Sequence, residues 1–237
     1  MVWEFEGHVF DPMPRGLVVV VGVAGVAAAG LLWLRRRALT RRAPDSEEAK
    51  RGVVADAYAA TAKGQQSCCV SVKKGDAMGY SVADRALSAS AGSDLGLGCG
   101  NPVELANLAE GEVVVDLGCG AGIDCLLAAA RVGERGRAIG VDMVPEMLKR
   151  AKEAARRVGM LGVTSFRLGE IEHLPIADGV ADAVLSNCVL NLCADKVQVL
   201  REAYRVLRPG GRLAFSDVIQ TQGHIPERLK SEAALAC

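Results

Sequence analysis

The chain has no excess of charge of either sign and few aromatic side chains. Its 28 Lys and Arg residues balance 28 Asp and Glu residues, and aromatic residues make up 4% of the 237 positions. A nucleic-acid-binding domain is recognised by clustered basic charge, usually with aromatic side chains among the cations. Because the sequence has no such patch, we expect no nucleic-acid partner.

The eight cysteines include no C-x-x-C pair. Zinc ribbons and thioredoxin-like motifs both use such pairs, so neither kind of site is predicted. Histidine is also scarce, with three residues. His173 is the only one inside a motif, and we interpret it as a solvated loop residue. Cysteine is therefore the residue type whose chemistry needs an explanation.

One uncharged segment, residues 16–34, contributes much of the high apolar content. A helix of this length spans about 28 Å, close to the hydrocarbon thickness of a bilayer. Arginines are concentrated directly after it, in residues 35–42, against Arg15 alone before it. The positive-inside rule then predicts a single membrane span with the rest of the chain facing the reducing cytoplasm. A cleaved targeting peptide is the alternative, which would make the protein cytoplasmic or organellar.

From Glu112 onward, apolar strands alternate with helices, which predicts an α/β fold with a parallel sheet and helices on both faces. Five strands are predicted, in residues 112–118, 137–143, 163–170, 181–192 and 212–219. The predicted parts of the chain are an N-terminal segment (1–15), the membrane helix (16–34), a basic linker (35–45), a helix with cysteine-containing loops (46–104), the α/β domain (105–220) and the start of a further domain (221–237).

The stretch "DLGCGAG" follows the first of these strands and opens a helix. Gly118, Gly120 and Gly122 allow a tight turn and let the backbone approach a ligand. Asp116 ends the first strand, and Asp142 ends the second, where a carboxylate can accept both hydroxyls of a ribose. This pair of acids favours a ligand with a cationic amino-acid end and a ribose. A generic strand-to-helix turn and a dinucleotide site are the alternatives.

Five ordered motifs between residues 105 and 220 resemble those of the class I S-adenosylmethionine-dependent methyltransferases. They are "VVDLGCGAG", "GVDM", "LGEIEHLP", "DAVLSN" and "EAYRVLRPGGRLAFSD". The resemblance implies S-adenosylmethionine as the cofactor and a Rossmann-like sheet of seven strands, of which five are visible here after the predicted transmembrane helix.

The resemblance also assigns cofactor contacts. The glycines of the loop would lie against the methionine portion, and Asp142 would hold the ribose; from the spacing described above, we expect Asp116 near the cationic amino-acid end. Met143 would lie beside the adenine, and Glu170 and Ile171 would contact its edge. Asn187, at the end of the fourth strand, would lie beside the methyl group.

The cysteines differ in their surroundings. We interpret Cys119 and Cys125 as small packing residues, and Cys193 is ambiguous. Cys99 lies in a glycine-rich loop, and Cys188 lies at the carboxyl end of a strand, the edge where open α/β sheets bind ligands. Thiolates near a methyl donor suggest a soft, thiophilic acceptor.

The motifs "SCCVSV", "LGCGNP", "GAGIDCLLAA" and "SNCVLNL" resemble the arsenite methyltransferase branch. Its four characteristic cysteines fall on Cys69 (or its neighbour Cys68), Cys99, Cys188 and Cys237. The resemblance implies that Cys188 and Cys237 hold trivalent arsenic, and that Cys69 and Cys99 complete its coordination and exchange disulfides when the product is re-reduced. The implied substrate is arsenite or its thiol conjugate, and the implied reductant is thioredoxin or glutathione.

Two other functions stay open at this point. The predicted anchor favours a methyltransferase for a membrane small molecule such as a quinone or sterol. A membrane-tethered metalloid-binding protein without turnover is the other alternative. Because the chain ends at Cys237, where the acceptor domain of the family should continue, we expect a C-terminal truncation.

Overall fold

The computed structural model describes residues 46–65 and 79–218 in full, together with the backbone of three short N-terminal strands. The strands are β1 (Glu4–Phe5), β2 (His8–Val9), β3 (Val18–Val23), β4 (Val113–Leu117), β5 (Arg137–Asp142), β6 (Thr164–Leu168), β7 (Ala181–Asn187) and β8 (Leu207–Asp217). The helices are α1 (Glu47–Ala62), α2 (Val82–Ala91), α3 (Pro102–Ala106), α4 (Ile123–Val132), α5 (Pro145–Arg157) and α6 (Lys196–Val206), with a 3-10 turn at Leu190–Leu192.

The main sheet has six strands in the order β3-β8-β7-β4-β5-β6, and all of its pairs are parallel. The five strands predicted from Glu112 onward are all present, which confirms the α/β fold. β7 ends earlier than predicted because Cys188 adopts a left-handed backbone with φ of 59°, and the 3-10 turn follows. The five-residue strand β4 has β5 on one side and β7 on the other.

The prediction of a membrane-spanning helix over residues 16–34, and with it of a membrane location, is wrong. Val18–Val23 forms β3, which pairs with β8 from Val18 opposite Arg212 to Val23 opposite Asp217. An unbroken run of valines is typical of a parallel strand as well as of an apolar helix, so hydrophobicity alone does not separate the two. In the part of the chain that the structure describes, no helix is long and apolar enough to cross a bilayer. The rest of the segment lies outside the described residues.

The stretch predicted as loops between residues 65 and 102 contains a further helix, α2. Its first turn is a capping box, in which the Ser81 hydroxyl accepts from the Asp84 N–H at 3.1 Å and the Asp84 carboxylate accepts from the Ser81 N–H at 3.1 Å. Arg131 of α4 donates to the same carboxylate at 2.8 Å. The helix was missed because small residues fill its sequence, so its apolar pattern is weak.

Side chains of the sheet alternate between two cores, as the period of a strand requires. Val114 packs with Cys125 and Leu127 of α4 and with α3 on one face, and its neighbour Val115 packs with Val199 of α6 on the other. Helices therefore cover both faces of the sheet.

The order of the strands places the site. The chain runs from β4 outward to β5 and β6, then crosses to the other side of β4 to form β7. In open parallel sheets, ligands bind at the carboxyl ends of the strands where the order reverses. This point lies between β4 and β7.

Candidate functional site

A cavity opens at the carboxyl ends of β4, β5 and β7. Helix α1 covers part of it, because Arg51, Val54 and Tyr58 contribute to its lining. The predicted site residues that line the cavity are Asp116, Gly118, Gly120, Asp142, Met143, Ile171, Asn187 and Cys188. The structure therefore brings together most of the described residues that the sequence analysis selected.

The glycine loop after β4 depends on left-handed backbone conformations. Gly118 has φ of 63°, Gly120 of 51° and Gly122 of 89°. A Cβ at Gly118 would also lie 2.5 Å from Cγ2 of Val189, which lines the cavity. Gly122 is the N-cap residue of α4 and does not line the cavity; a Cβ there would meet Ala151 at 3.0 Å, so this glycine serves the packing of the helix.

Two backbone hydrogen bonds hold the carboxylate of Asp142 in place. Its Oδ2 accepts from the Gly120 N–H, and its Oδ1 accepts from the Val144 N–H, both at 2.8 Å. Burial raises the pKa of Asp142, and the two backbone donors oppose that shift. Each oxygen keeps a lone pair for a ligand, so the carboxylate is oriented and still able to accept hydroxyl groups.

Asp116 is buried, with 3% of its surface exposed. Its Oδ2 has no hydrogen-bond partner among the residues that the structure describes. Burial and the neighbouring charges of Asp124 and Asp142 raise its pKa well above the usual value. A buried carboxyl group with an unsatisfied oxygen favours a ligand that brings a hydrogen-bond donor or a positive charge.

Glu170, which was predicted to contact the edge of the adenine, is not among the residues that line the cavity, although its partner Arg51 is. Its carboxylate forms an ion pair with Arg51 of α1 at 2.7 Å, and about half of the side chain (48%) is exposed. Its neighbours Ile171 and Glu172 line the cavity instead. The sequence analysis could not foresee this, because the pairing depends on α1, which is far away in the chain.

The four cysteines predicted to hold arsenic are described only in part. Cys99 and Cys188 are placed, whereas Cys69 (with its neighbour Cys68) and Cys237 lie outside the described residues. The carbonyl oxygen of Ser216 accepts from the Cys188 N–H at 2.8 Å and from the Cys99 thiol at 3.3 Å. Within residues 46–65 and 79–218 there is no group of three His, Cys, Asp or Glu side chains that could hold a metal ion.

A partly buried polar network joins the end of β7 to the Cys99 loop, which we define as residues 97–101. The Asn187 Oδ1 accepts from the Cys99 N–H at 2.9 Å, and its Nδ2 donates to the Gly100 carbonyl at 3.0 Å and to Asp124 at 2.8 Å. The Tyr80 hydroxyl donates to Asp124 at 2.9 Å. Tyr80 and Asp124 were not predicted; the one signal for Asp124 is a carboxylate in the first turn of α4, whose other residues are apolar except Arg131.

The remaining thiols are in apolar surroundings. Cys119 and Cys125 are buried, and burial raises the pKa of both well above the usual value, which supports their interpretation as packing residues. Cys193 lines the cavity, its thiol donates to the Val189 carbonyl at 3.3 Å, and burial raises its pKa to about 12. His173 is exposed, as predicted.

The chain is similar to proteins that are known as arsenite methyltransferases. The chain is 48% identical over 194 residues to the arsenite methyltransferase of Halobacterium salinarum, which covers 75% of this chain and 49% of that protein. It is 51% identical over 118 residues to the arsenite methyltransferase of Aquipseudomonas alcaligenes, which covers 47% of this chain and 34% of that protein. The crystal structure of an arsenic(III) S-adenosylmethionine methyltransferase from Chlamydomonas reinhardtii matches with a TM-score of 0.50 and 43% identity, covering 58% of this chain and 49% of that one.

These matches confirm the resemblance to arsenite methyltransferases that the motifs predicted. The matched part of the chain spans about half the length of the Halobacterium relative and about a third of the Aquipseudomonas one. The sequence model of one family, described as a methyltransferase domain, matches residues 108–237, more than half of the chain. The chain therefore belongs to the methyltransferase domain family.

Proposed function

We propose that the chain transfers methyl groups from S-adenosylmethionine to trivalent arsenic held by cysteine thiolates. The observation that carries this proposal is that the Cys99 thiol and the Cys188 backbone N–H share one acceptor, the carbonyl oxygen of Ser216, and that Cys188 lines the same cavity as the glycine loop. The two cysteines are distant in sequence, and thiolates are the protein ligands that bind soft metalloids best. The similarity to arsenite methyltransferases supports the same substrate.

The residues of the cavity fit S-adenosylmethionine. Gly118 lets the backbone lie against Val189 at the cavity, where a Cβ would clash, and Asp116 has an unsatisfied oxygen that suits an amino group. Asp142 would accept the ribose hydroxyls with a carboxylate that Gly120 and Val144 already orient. Once bound, the cofactor would supply an electrophilic methyl group on a sulfonium sulfur.

The apolar lining of the cavity suits the adenine and the exclusion of water. Met143, Ile171 and Leu97 line it, together with Val189 and Leu192 near the thiols. Displacement at a methyl group requires an aligned nucleophile and little water, and it gains most from positioning. We infer that these side chains, with α1 above them, keep the reacting centre dry.

The thiols are proposed to act as ligands of the substrate. Each cysteine thiol that replaces a hydroxyl group of arsenous acid forms an As–S bond and releases one water molecule. Three such bonds give a pyramidal arsenic whose lone pair stays free, so no histidine base is needed. Cys188 and Cys237 are proposed to hold arsenic, with Cys69 (or Cys68) and Cys99 completing its coordination and exchanging disulfides with thioredoxin or glutathione.

The two alternative functions are not favoured. A methyltransferase for a membrane quinone or sterol, and a membrane-tethered metalloid-binding protein, both rested on a membrane helix in residues 16–34. That segment contains strand β3, and the arsenite methyltransferases among the relatives favour the arsenic substrate.

The test is methyl transfer from isotope-labelled S-adenosylmethionine to arsenite in the presence of a thiol reductant, with chromatography of the arsenic species. We expect labelled methylarsenic species from the full chain and none from Cys188→Ser. Cys125→Ala removes a thiol that lies in the core, and this variant should keep the activity. Arsenite binding without any methylated product would overturn the proposal in favour of a binding protein, and labelled quinone would overturn it in favour of a quinone methyltransferase.

A further inference from the structure

We propose that Asn187 is a positioning residue that fixes the Cys99 loop against the end of β7, so that Cys99 and Cys188 reach the same arsenic atom. The inference rests on the proposed function for its substrate. It assigns to Asn187 a role other than the cofactor contact that the sequence motif suggested.

The hydrogen bonds of the Asn187 amide are directed to the Cys99 loop and its support. Oδ1 accepts from the Cys99 N–H at 2.9 Å, and Nδ2 donates to the carbonyl of the next residue, Gly100, at 3.0 Å. One side chain therefore binds both the N–H of Cys99 and the carbonyl of Gly100, which flank the peptide bond between these two residues. This bidentate contact restrains the backbone that carries the thiol, because each hydrogen bond removes freedom from the same short loop.

The amide can adopt only one orientation here. Besides Gly100, the acceptors near Nδ2 are the Asp124 carboxylate at 2.8 Å and the Tyr80 hydroxyl at 3.1 Å. A flipped amide would direct its oxygen at the Gly100 carbonyl and at a carboxylate, and its NH2 group at the Cys99 N–H. Asp124 and Tyr80 therefore select the orientation that holds the Cys99 loop.

The support itself is buried and held in place. Asp124 has 4% of its surface exposed and lies in the first turn of α4, which packs against the sheet. The Tyr80 hydroxyl donates to its second oxygen at 2.9 Å. The core of the domain thus fixes the position of the Asn187 amide, and the amide in turn fixes the backbone of the Cys99 loop.

The glycines on either side of Cys99 permit this close approach. A Cβ at Gly98 would lie 2.8 Å from Nδ2 of Asn187, and a Cβ at Gly100 would collide with the Ser216 hydroxyl. The sequence "GCG" is therefore what the packing of the Cys99 loop against β7 requires. Because β7 continues directly into Cys188, the amide sets the position of the Cys99 loop relative to Cys188.

The inference is tested by alkylating the full chain with N-ethylmaleimide and measuring the rate at each cysteine by peptide mass spectrometry, with and without arsenite. In the wild type we expect arsenite to protect both Cys99 and Cys188. In Asn187→Ala, arsenite should still protect Cys188 but not Cys99. Without arsenite, the rate at Cys99 should rise by about fivefold or more, since the loop loses at least one net hydrogen bond.

Ser186→Ala is the matched control. Ser186 precedes Asn187 on β7, is buried, and its hydroxyl has no hydrogen-bond partner among the described residues. This variant should leave the alkylation of Cys99 unchanged. If it loosens Cys99 as much as Asn187→Ala does, the effect comes from β7 in general and the assignment of Asn187 is overturned.

Exchanging the amide and the carboxylate between positions 187 and 124 separates a positioning role of Asn187 from a merely structural one. Asn187→Asp keeps the acceptor for Cys99 but puts a second carboxylate oxygen against Asp124 and the Gly100 carbonyl, so protection of Cys99 should be lost. In Asn187→Asp combined with Asp124→Asn, the amide at position 124 donates to the carboxylate at position 187, so protection should return in part; the Gly100 carbonyl still faces a carboxylate oxygen. A double variant that behaves like Asn187→Asp alone would overturn the inference.

The outcome also distinguishes failure of the inference from failure of the proposed function. If arsenite protects neither cysteine in the wild type, the arsenic substrate is wrong. The positioning role of Asn187 is then decided by whether Asn187→Ala raises the alkylation rate at Cys99 in the absence of arsenite. If arsenite protects Cys99 equally in the wild type and in Asn187→Ala, the positioning role is wrong and the substrate stands.

Discussion

Cys99 and Cys188 share one hydrogen-bond acceptor, because the carbonyl oxygen of Ser216 binds the thiol of the first at 3.3 Å and the backbone N–H of the second at 2.8 Å. Ser216 belongs to β8 and Cys188 follows β7, so the contact lies where two neighbouring strands end. Cys188 has a left-handed φ of 59°, which is uncommon for a residue with a Cβ. Such strain is retained at functional sites, and here it turns the residue out of the strand direction next to the cavity.

Cys188→Ser should abolish arsenite binding and leave cofactor binding intact. A serine hydroxyl keeps the size of the side chain but is a hard ligand that does not form a stable bond to soft trivalent arsenic. We expect the arsenite affinity to fall by about a hundredfold or more, measured by calorimetry with arsenite and separately with S-adenosylmethionine. Unchanged arsenite affinity would remove Cys188 from the substrate site.

Asp142→Ala should weaken the cofactor and spare arsenite. The substitution removes the proposed ribose acceptor and leaves the N–H of Gly120 without its partner at 2.8 Å. We expect a loss of about tenfold to a hundredfold in affinity for S-adenosylmethionine, as for a buried hydrogen-bonded charge. Asp178→Ala, which removes an exposed carboxylate paired with Arg205, is the control. Equal cofactor affinities in the wild type and in Asp142→Ala, measured by calorimetry, would contradict the role.

Much of the α/β domain could be predicted because its strands are short apolar runs that end at an acid or a glycine. The run before Asp116 and the run before Asp142 are both strands, and the two acids lie at one edge as predicted. Residues 16–34 were misinterpreted because an apolar run has no periodicity that separates a buried strand from a helix. The pairing of Val18–Val23 with β8 is a long-range contact that the sequence does not reveal.

The site was predictable where it is local and unpredictable where it depends on packing. The glycine loop and Asp142 belong to a single strand–turn–helix unit and its neighbour, so spacing was sufficient to find them. The network of Tyr80, Asp124 and Asn187 joins three segments that are far apart in the chain. The ion pair of Glu170 with Arg51 was unpredictable for the same reason, because Arg51 lies on α1.

Gly118→Ala should destabilise the fold more than Gly111→Ala. Both glycines have positive φ, 63° and 86°, so both variants incur backbone strain of about 1 kcal/mol or more. Only at Gly118 would the new Cβ also lie 2.5 Å from Cγ2 of Val189, whereas nothing lies within 4 Å at Gly111. We expect an additional loss of about 1–3 kcal/mol in the free energy of unfolding, measured with urea. Equal losses in the two variants would show that Val189 moves aside.

Asp124→Asn should remove a pH-dependent part of the stability. Burial raises the pKa of Asp124 to about 6, although the hydrogen bonds from Asn187 and Tyr80 oppose the shift. In the unfolded chain the group titrates near about 3.9. At pH values between these two pKa values, the native state binds more protons than the unfolded chain. The contribution of Asp124 to the free energy of unfolding therefore falls as pH rises through this window, and it is constant above it.

The comparison of wild type with Asp124→Asn reports this group together with its effect on Asp116, whose pKa is raised by burial and by the charge of Asp124. In urea unfolding from about pH 4 to about pH 7, the stability of the wild type relative to the variant should decline by about 2 kcal/mol and then level off. A relative stability that rises with pH would show that Asn187 and Tyr80 stabilise the ionised carboxylate by more than burial destabilises it. A stability difference that does not change with pH would mean that Asp124 has the same pKa in the folded and unfolded chains. Asp124 would then behave as an exposed acid and not as a buried one.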